Sequence, residues 1–332
     1  MSELVDGFGR AHRDLRVSLT DRCNLRCTYC MPPDFADWIP GPQLLTTEEL
    51  LLVLDVAIGL GVDEVRLTGG EPLLRPDIVT VVRHITSLPT PPRVSLTTNG
   101  LRLDRLARPL AEAGLERVNV SLDTLDRERF LRLTHRDRLD DVLLGLSAAR
   151  AAGLHPVKVN TVLMRGVNDD EALPLLRWAI DEGLHLRFIE QMPLDAGGTW
   201  DRGEMITAEE ILQRLSEHVS LTPLPRGNAP AEEFLVDGGP ATVGIIASVT
   251  KPFCSACDRL RLTADGQLRS CLFARSELDL RAALRDPDLT PEQARAEVEA
   301  RFRSCVASKA RGHGINDPLF VQPSRPMSAI GG

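Results

Sequence analysis

A chain of 332 residues, 43% hydrophobic and 26% charged, is long enough for one large α/β domain or for one such domain plus a smaller one. Its formal net charge of −8 argues against a nucleic-acid partner, because nucleic-acid-binding proteins are usually basic over at least one domain. No run approaches the roughly 20 apolar residues needed to span a bilayer, and the polar N-terminus lacks the apolar segment of a secretory signal, so we expect a cytoplasmic protein with no membrane partner.

A β-branched run, a loop and an amphipathic helix recur through the first two-thirds of the chain. The predicted strands cover residues 15–19, 64–68, 93–97, 117–122, 156–163 and 186–191. The predicted helices cover residues 47–60, 105–113, 140–152 and 170–182, and the first begins with a capping signal at Thr46 and Glu49. Six β/α units favour a parallel sheet that is too short to close like an eight-stranded barrel. The predicted fold class is α/β, a partial (β/α)6 TIM-like barrel.

The sequence pattern changes after about residue 195, where loops rich in Gly and Pro separate short elements. Strands are predicted at residues 242–247 and 259–263, and helices at 207–217 and 291–303. We therefore expect two domains, residues 1–195 and residues 196–332, with the second a smaller α+β domain that covers the open side of the barrel. The Pro- and Gly-rich residues 312–332 are predicted to form a tail.

Six of the seven cysteines fall into two close groups, which indicates metal or cluster ligands rather than disulfides. The first group is Cys23-x3-Cys27-x2-Cys30, in a loop with no fourth cysteine or histidine nearby. Structural zinc prefers four ligands, whereas three thiolates on a [4Fe–4S] cube leave one iron open. That open iron can bind the amino and carboxylate groups of S-adenosylmethionine. Zinc in an ordinary loop stays the alternative.

The second group, Cys254-x2-Cys257-x13-Cys271, again has three members. Cys305 is the remaining cysteine and would complete a structural zinc site as a fourth ligand. Its position on a predicted helix favours a buried thiol instead. The functional alternative is a second [4Fe–4S] cube whose open iron meets the substrate.

Basic residues on predicted strands indicate an anionic ligand. Arg16, Arg66, Lys158 and Arg187 lie on strands flanked by apolar residues, where a solvated position is unfavourable. Arg259 and Arg261 are two residues apart on a strand and so share one face. Arginine forks bind phosphate oxygens two at a time, and a triphosphate carries about four negative charges. Glu190 and Asp123 follow strands and fit either a contact with a ribose or a capping role.

The first cysteine loop, with Tyr29 before its last cysteine, and the Gly69-Gly70-Glu71-Pro72 run after the second strand together resemble the radical S-adenosylmethionine superfamily. Residues 18–32, 244–263 and 268–273 and the terminal Gly331-Gly332 are similar to the GTP 3′,8-cyclase family within it. The resemblance extends from about Arg10 to the end of the chain. It departs from the family at Asp258, where an asparagine is usual.

The resemblance implies a role for each matching residue. The first [4Fe–4S] cluster would be bound by Cys23, Cys27 and Cys30, and the second by Cys254, Cys257 and Cys271. S-adenosylmethionine would be contacted by Tyr29, Gly70, Glu71, Ser121 and Met192. GTP would be held by Arg16, Arg66, Thr97, Lys158, Arg187, Arg259 and Arg261. The catalytic residues would be Arg259, Arg261, Gly331 and Gly332, with the diglycine end reaching into the active site.

The implied reaction converts GTP to (8S)-3′,8-cyclo-7,8-dihydroguanosine 5′-triphosphate, the first step of molybdenum cofactor biosynthesis. Reductive cleavage of S-adenosylmethionine starts it, so an electron-donor protein is expected as a partner. The product passes to cyclic pyranopterin monophosphate synthase, and the resemblance favours a homodimer. Two alternatives remain at this point: a peptide-modifying radical enzyme with an auxiliary cluster, and a non-enzymatic protein with two zinc sites.

Overall fold

The computed structural model describes residues 3–227 and 229–331. The strands in this part of the chain form one sheet. Its strands there are β1 Asp14–Ser18, β2 Glu64–Thr68, β3 Arg93–Thr98, β4 Arg117–Ser121, β5 Val157–Val162, β6 His185–Ile189, β7 Leu221–Pro223, β8 Glu232–Val236, β9 Thr242–Ile246, β10 Arg259–Leu262, β11 Gln267–Arg269 and β12 Leu278–Asp279. The helices there are α1 Thr47–Gly59, α2 Ile78–Thr86, α3 Leu103–Glu112, α4 Arg127–Thr134, α5 Leu139–Ala151, α6 Ala172–Asp181, α7 Ala208–Ser216, α8 Leu280–Leu284, α9 Pro291–Ala307 and α10 Met327–Ile330.

The strand order is β12-β11-β10-β1-β2-β3-β4-β5-β6-β9-β8-β7. Neighbours from β10 to β9 along this order pair in parallel, and the strands beyond them are antiparallel. All six strands predicted in the first two-thirds of the chain form. None of the helices in the described ranges is long and apolar enough to cross a membrane.

The C-terminal part of the chain meets the open edges of the partial barrel through strand pairing. Its strands β9 and β10 join the barrel sheet itself, β9 beside β6 and β10 beside β1. Both edges of the predicted six-stranded sheet thereby gain hydrogen-bond partners, which exposed strand edges need. The division at residue 195 stays a prediction, although strands from both sides of it share one sheet.

Four helices, α2, α4, α8 and α10, were absent from the predicted pattern. α2 begins at Ile78, after a 3-10 turn at Pro72–Leu74 that continues the Gly69–Pro72 loop. α4 is short, and Asp126 caps it by accepting a hydrogen bond from the Arg129 amide at 2.7 Å. The capping signal predicted for α1 is confirmed, because the Thr46 side chain and Glu49 form a reciprocal capping box.

The predicted tail is wrong as a description of residues 312–332. Within it, α10 packs into a second hydrophobic cluster beside the main core, and Ile330 is fully buried. The cluster consists of Leu194, Met205, Val249, Phe273, Ile315 and Ile330. Because the composition of this segment is rich in Pro and Gly, its few apolar residues gave no recognisable pattern in the sequence. Their burial holds the end of the chain in place.

Side chains alternate along each central strand, as the two-residue period of a strand requires. On β1, Leu15 and Val17 are fully buried against the helices, whereas Arg16 between them is only partly covered. On β6, Phe188 is fully buried and its neighbour Arg187 lines the lumen of the partial barrel. One face of the sheet is thus apolar core, and the other carries the charges.

This alternation predicts that Phe188→Ala lowers the free energy of unfolding by about 3–5 kcal/mol, because it empties a fully buried site in the helix-facing core. Leu144→Ala is the matched control, since Leu144 is 56% exposed on α5. The control should change stability by about 0.5 kcal/mol or less. Urea unfolding followed by circular dichroism measures both, and equal losses would contradict the assignment of Phe188 to the core face.

Candidate active site

The first cysteine loop follows β1 and is held by the glycine-rich loop that follows β2. The amide of Gly70 donates to the Thr20 carbonyl at 2.7 Å, and the amide of Glu71 donates to the Arg22 carbonyl at 2.8 Å. A Cβ atom at Gly70 would overlap the carbonyl oxygens of Asp21 and Arg22. Only glycine permits this approach of two backbones, which is the local reason for the glycine pair.

Cys23, Cys27 and Cys30 lie close together: in addition to burial, Cys23 raises the pKa of both other thiols, and Cys30 raises the pKa of Cys27. Burial, and then Glu71, raises the pKa of Cys23 to about 11. Burial, and then Cys23, raises the pKa of Cys30 to about 12, and the pKa of Cys27 is raised well above its ordinary value, first by burial. Three converging protonated thiols are a donor set that a cationic iron centre converts to thiolates on binding. These residues therefore fit an iron–sulfur cluster.

Glu71 is fully buried and accepts three hydrogen bonds from protein groups. Its donors are the Leu73 amide at 2.9 Å, the Thr98 hydroxyl at 2.7 Å and the Asn99 amide at 2.7 Å. Burial raises its pKa to about 7, and these hydrogen bonds oppose the rise. The Asn99 side chain in turn reaches within 3.7 Å of the Cys23 sulfur. Glu71 thus ties the loops after β2 and β3 together, and its contact with S-adenosylmethionine stays a prediction.

Tyr29, beside the first cysteine group, donates its hydroxyl proton to Asp123 at 2.7 Å. The other Asp123 oxygen accepts from the Val162 amide at 2.9 Å, so Asp123 fixes the end of β4 against β5. Glu190 accepts from the Ala208 amide at 2.8 Å and from the Val249 amide at 2.8 Å, which caps α7 and the loop after β9. Glu190 therefore makes the capping contact that was one of its two predicted roles, whereas Asp123 holds Tyr29 and the end of β5, and a contact of either acid with a ribose stays a prediction.

The second cysteine group opens into the lumen of the barrel. A cavity that is partly open to solvent is lined there by Cys254, Cys257, Cys271, Arg16, Arg66, Thr97, Arg187, Arg259, Arg261 and Met192, among others. Lys158 lies in an adjoining cavity that shares Arg16, Arg66, Arg187 and Arg259 with the first. The structure thus brings together the late cysteines and all the predicted basic residues. Ser121 lies apart from both linings, half-buried at the end of β4.

Three arginines form a row across neighbouring strands. Arg16 on β1 is the register partner of Arg261 on β10 and of Arg66 on β2. Burial, and then the charge of Arg66, lowers the pKa of Arg16 well below its ordinary value. The Nε atoms of Arg16 and Arg66 are buried without a hydrogen-bond partner among the described residues. Buried cationic donors that lack partners indicate a site for an anion.

The late cysteines differ from one another in their surroundings. Burial raises the pKa of Cys254. Burial also acts on Cys257, but the charges of Arg259 and Lys309 outweigh it and lower the pKa of that thiol below its ordinary value. A thiol of lowered pKa beside cations is poised to bind metal as thiolate. This second set therefore also fits a cluster.

The zinc alternative needs Cys305, which lies elsewhere. Cys305 is buried in the main hydrophobic core on α9, and burial raises its pKa to about 12. It is not among the described residues that line the lumen cavity. Nor do three or more His, Cys, Asp or Glu side chains in the described ranges converge to hold one metal ion. A cluster suits this spacing better, because each of its thiolates binds a different iron.

The end of the chain reaches the arginine row. Arg261 donates a hydrogen bond from its guanidinium to the Gly331 carbonyl. Gly331 has a φ of +87°, and a Cβ there would lie 2.9 Å from the Thr68 methyl group, so only glycine fits. Gly332 lies outside the described residues. Asp258, at the position where an asparagine is usual in the family, lines the adjoining cavity that contains Lys158. Burial, and then the charge of Asp14, raises the pKa of Asp258.

Sequence reasoning missed several residues that line the lumen, among them Asn160, Phe253 and His313. Asn160 lies two residues after Lys158 on β5, so the same two-residue period would have found it, and its Oδ1 atom is buried without a partner in the described part of the chain. Phe253 stacks beneath Arg259, with the guanidinium carbon 4.6 Å from the ring centre. His313 also lines the cavity. No local pattern marks His313, because a distant loop brings it there.

Two family models match the chain. Residues 17–179 match the Radical SAM superfamily, and residues 184–315 match Molybdenum Cofactor Synthesis C. A GTP 3′,8-cyclase of Streptomyces coelicolor is 58% identical, with 99% of this chain and 96% of that protein covered. A GTP 3′,8-cyclase of Mycolicibacterium smegmatis is 56% identical, with 99% and 92% covered.

A solved structure, that of Streptococcus suis SuiB bound to S-adenosylmethionine, is similar with a TM-score of 0.61 and 14% identity. The likeness covers 86% of this chain and 64% of that one. At this identity it shows the shared fold alone. The expected α/β fold class is thereby confirmed.

The pKa of Lys158 gives a prediction on pH dependence. Burial, and then Arg187, lowers this pKa to about 8, so the side chain loses its positive charge as the pH rises through that value. Wild-type affinity for inorganic triphosphate, expressed relative to Lys158→Gln, should therefore fall between about pH 7 and pH 9. The exposed Lys251→Gln variant is the control and should match wild type at both pH values. Calorimetry measures each affinity, and a constant ratio would contradict a role for Lys158 in binding the anion.

Proposed function

Since this chain belongs to the GTP 3′,8-cyclase family of the radical S-adenosylmethionine superfamily, we propose specific roles for its lumen residues in that activity. It converts GTP to (8S)-3′,8-cyclo-7,8-dihydroguanosine 5′-triphosphate, the first step of molybdenum cofactor biosynthesis. The observation that carries the assignment of roles is the row of Arg261, Arg16 and Arg66 in one cavity with three cysteines.

Each cysteine group would hold one [4Fe–4S] cluster. Cys23, Cys27 and Cys30 would hold the first, with S-adenosylmethionine bound beside it. When bound, this pair would supply one-electron radical chemistry at C3′ of the GTP ribose, and formation of the C3′–C8 bond would then consume a further electron from the donor protein and one proton. The second cluster would be held by Cys254, Cys257 and Cys271. The effect of Cys23 and Cys30 on the pKa of Cys27, and the shared position of the late thiols in the lining of one cavity, support these assignments.

S-adenosylmethionine would contact Tyr29, Gly70, Glu71, Ser121 and Met192. Tyr29 is held by Asp123, and Gly70 by the cysteine loop, so their backbones are fixed before the ligand arrives. Met192 lines the lumen cavity and packs against the second hydrophobic cluster. This position supports a role for Met192 between the proposed S-adenosylmethionine site and the proposed GTP site.

GTP would lie in the lumen with its base toward the late cysteines. Its triphosphate would point toward the adjoining cavity that contains Lys158. Arg16, Arg66, Lys158 and Arg187 would bind phosphate oxygens, and the buried Nε atoms of Arg16 and Arg66, which have no hydrogen-bond partner among the described residues, support this assignment. Thr97 would add a hydroxyl contact from β3. Occupation of the lumen by the anion would relieve the repulsion within the arginine row.

Arg259 and Arg261, with Gly331 and Gly332, would act next to the reacting nucleotide. Arg261 holds the Gly331 carbonyl, and the buried Ile330 anchors the segment that precedes it. The end of the chain would thereby exclude water from the site, which protects a radical from quenching.

The partners follow from the reaction. An electron-donor protein must supply reducing equivalents, and cyclic pyranopterin monophosphate synthase would consume the product. We expect a homodimer by resemblance to the family. Cluster-bearing thiols need a reducing compartment, which supports a cytoplasmic location.

The test is an anaerobic assay of iron-reconstituted protein with S-adenosylmethionine, dithionite and GTP, read by liquid chromatography and mass spectrometry. We expect 5′-deoxyadenosine together with a product of the same mass as GTP but a different retention time. Formation of 5′-deoxyadenosine with GTP untouched, or with a peptide consumed instead, would contradict the substrate assignment. Absence of both products despite full iron loading would contradict the activity itself.

Cysteine variants test the cluster ligands in the same preparations. Cys27→Ala should lose about half of the bound iron and all 5′-deoxyadenosine, because one of two four-iron clusters is lost. Cys254→Ala should lose about half of the iron but retain S-adenosylmethionine cleavage. Cys305→Ala is the control, since this thiol lies in the core, and its iron content should equal that of wild type. Metal loss from Cys305→Ala as large as that from Cys254→Ala would favour a four-cysteine zinc site instead.

Substitution of an arginine in the row tests its role in GTP binding. Arg66→Gln removes a buried cation that has no protein partner at Nε, so the apparent KM for GTP should rise by at least tenfold, as the loss of a charge-assisted contact predicts. Arg105→Gln is the control, because Arg105 is 86% exposed on α3 and is not among the described residues that line either cavity. Steady-state assays at varied GTP measure both, and an unchanged KM for Arg66→Gln would contradict the assignment.

A further inference from the structure

Lys309 is a buried charge that the roles proposed above do not use. It is one of three lysines in a chain whose other basic residues are arginines, and it is 5% exposed just beyond the end of α9. Neither Lys309 nor His12, its neighbour, is among the described residues that line the two lumen cavities. A buried lysine is costly unless its charge is matched, so its partners indicate its role.

The Nζ atom of Lys309 has three partners, one for each hydrogen of an ammonium group. It lies 2.6 Å from the Arg259 carbonyl oxygen, 3.4 Å from His12 Nδ1 and 3.8 Å from the Cys257 sulfur. The first two partners hold the side chain in place on either side. The third directs the remaining N–H at a sulfur of the second cysteine group.

The N-terminal segment fixes the histidine that holds this lysine. His12 Nε2 lies 3.0 Å from Asp6 Oδ2, and both side chains are fully buried. Asp6 also accepts from the Arg10 Nε at 2.6 Å and from the Phe8 amide at 2.9 Å. An acceptor-only carboxylate requires the proton of His12 to lie on Nε2, which leaves Nδ1 free to accept from Lys309.

Arg10 ties the same segment to the loop of the second cysteine group. Its guanidinium donates to the Cys254 carbonyl at 2.6 Å and to the Ala310 carbonyl at 2.8 Å. The segment therefore contacts one cysteine of the group through backbone and another through Lys309. This arrangement supports the cysteines from the protein side, opposite the cavity in which a substrate would lie.

We propose that Lys309, positioned by His12 and Asp6, donates an N–H···S hydrogen bond to Cys257 and raises the reduction potential of the second cluster. The inference rests on the proposed second cluster. Hydrogen bonds to ligand sulfurs and nearby positive charge stabilise the reduced, more negative state of an iron–sulfur centre. Arg259 also lies near Cys257, but phosphate would neutralise its charge when substrate binds. Lys309 faces the protein and keeps its effect in both states.

The experiment uses the full chain with Cys23→Ala, Cys27→Ala and Cys30→Ala as the parent, so that only the second cluster is reduced. Anaerobic redox titration followed by electron paramagnetic resonance gives the ratio of reduced to oxidised cluster at each applied potential. In Lys309→Met, this ratio should fall by about tenfold at a fixed potential, which is a shift of about 59 mV for a one-electron couple. Lys251→Met is the matched control, because it removes the same charge from an exposed side chain near Cys254, and its ratio should equal that of the parent.

Two further variants keep the test decisive. Lys309→Gln also removes the charge and replaces Lys309→Met if that variant does not fold, and its ratio should fall as well. Lys309→Arg keeps the charge and should shift the ratio less than either. A ratio in the uncharged variants equal to that of Lys251→Met overturns the proposal. A parent protein that binds no cluster would instead overturn the proposed function and is recognised by its iron content before any titration.

Discussion

The repulsion within the row of Arg261, Arg16 and Arg66 is the constraint on which the rest of the site depends. Their strands are hydrogen-bonded neighbours, so backbone pairing holds the three side chains together although their charges repel. The opposite face of the same strands is apolar and fully buried, and that burial supplies the stability that keeps the charges in place. Asp14 and Glu64 offset part of this repulsion, and an anion in the lumen would relieve more of it, so recognition of an anionic substrate would depend on the fold of the sheet.

Both ends of the chain complete this lumen. Strands β9 and β10 extend the barrel sheet at its two edges, and the turn before β10 carries Cys254 and Cys257 to the side of the arginines. The final residues return to Arg261, while the first residues support the late cysteine loop through Arg10. The second cysteine group and the arginine row are therefore brought together by segments that lie far apart in the sequence. Their geometry depends on the whole fold for this reason.

Local patterns in the sequence were sufficient for the early strands, the cysteine groups and the basic residues of the lumen, because each depends on a two-residue period or a short spacing. Local patterns were insufficient for features that depend on contacts between segments far apart in the sequence. Nothing near residue 260 indicates that β10 pairs with β1, and the Pro- and Gly-rich composition of the final residues hid the anchoring role of Ile330. Lys309 and His12 are 297 positions apart, so no local spacing could connect them.

The central claim is that the buried arginine row recognises the triphosphate of GTP. The most direct measurement is the affinity of the reconstituted protein for GTP, GDP, GMP and guanosine by anaerobic calorimetry at one ionic strength. The account predicts that affinity falls by about tenfold or more with each phosphate removed, because each loses charge-assisted contacts in the lumen. Guanosine that binds as tightly as GTP would contradict it.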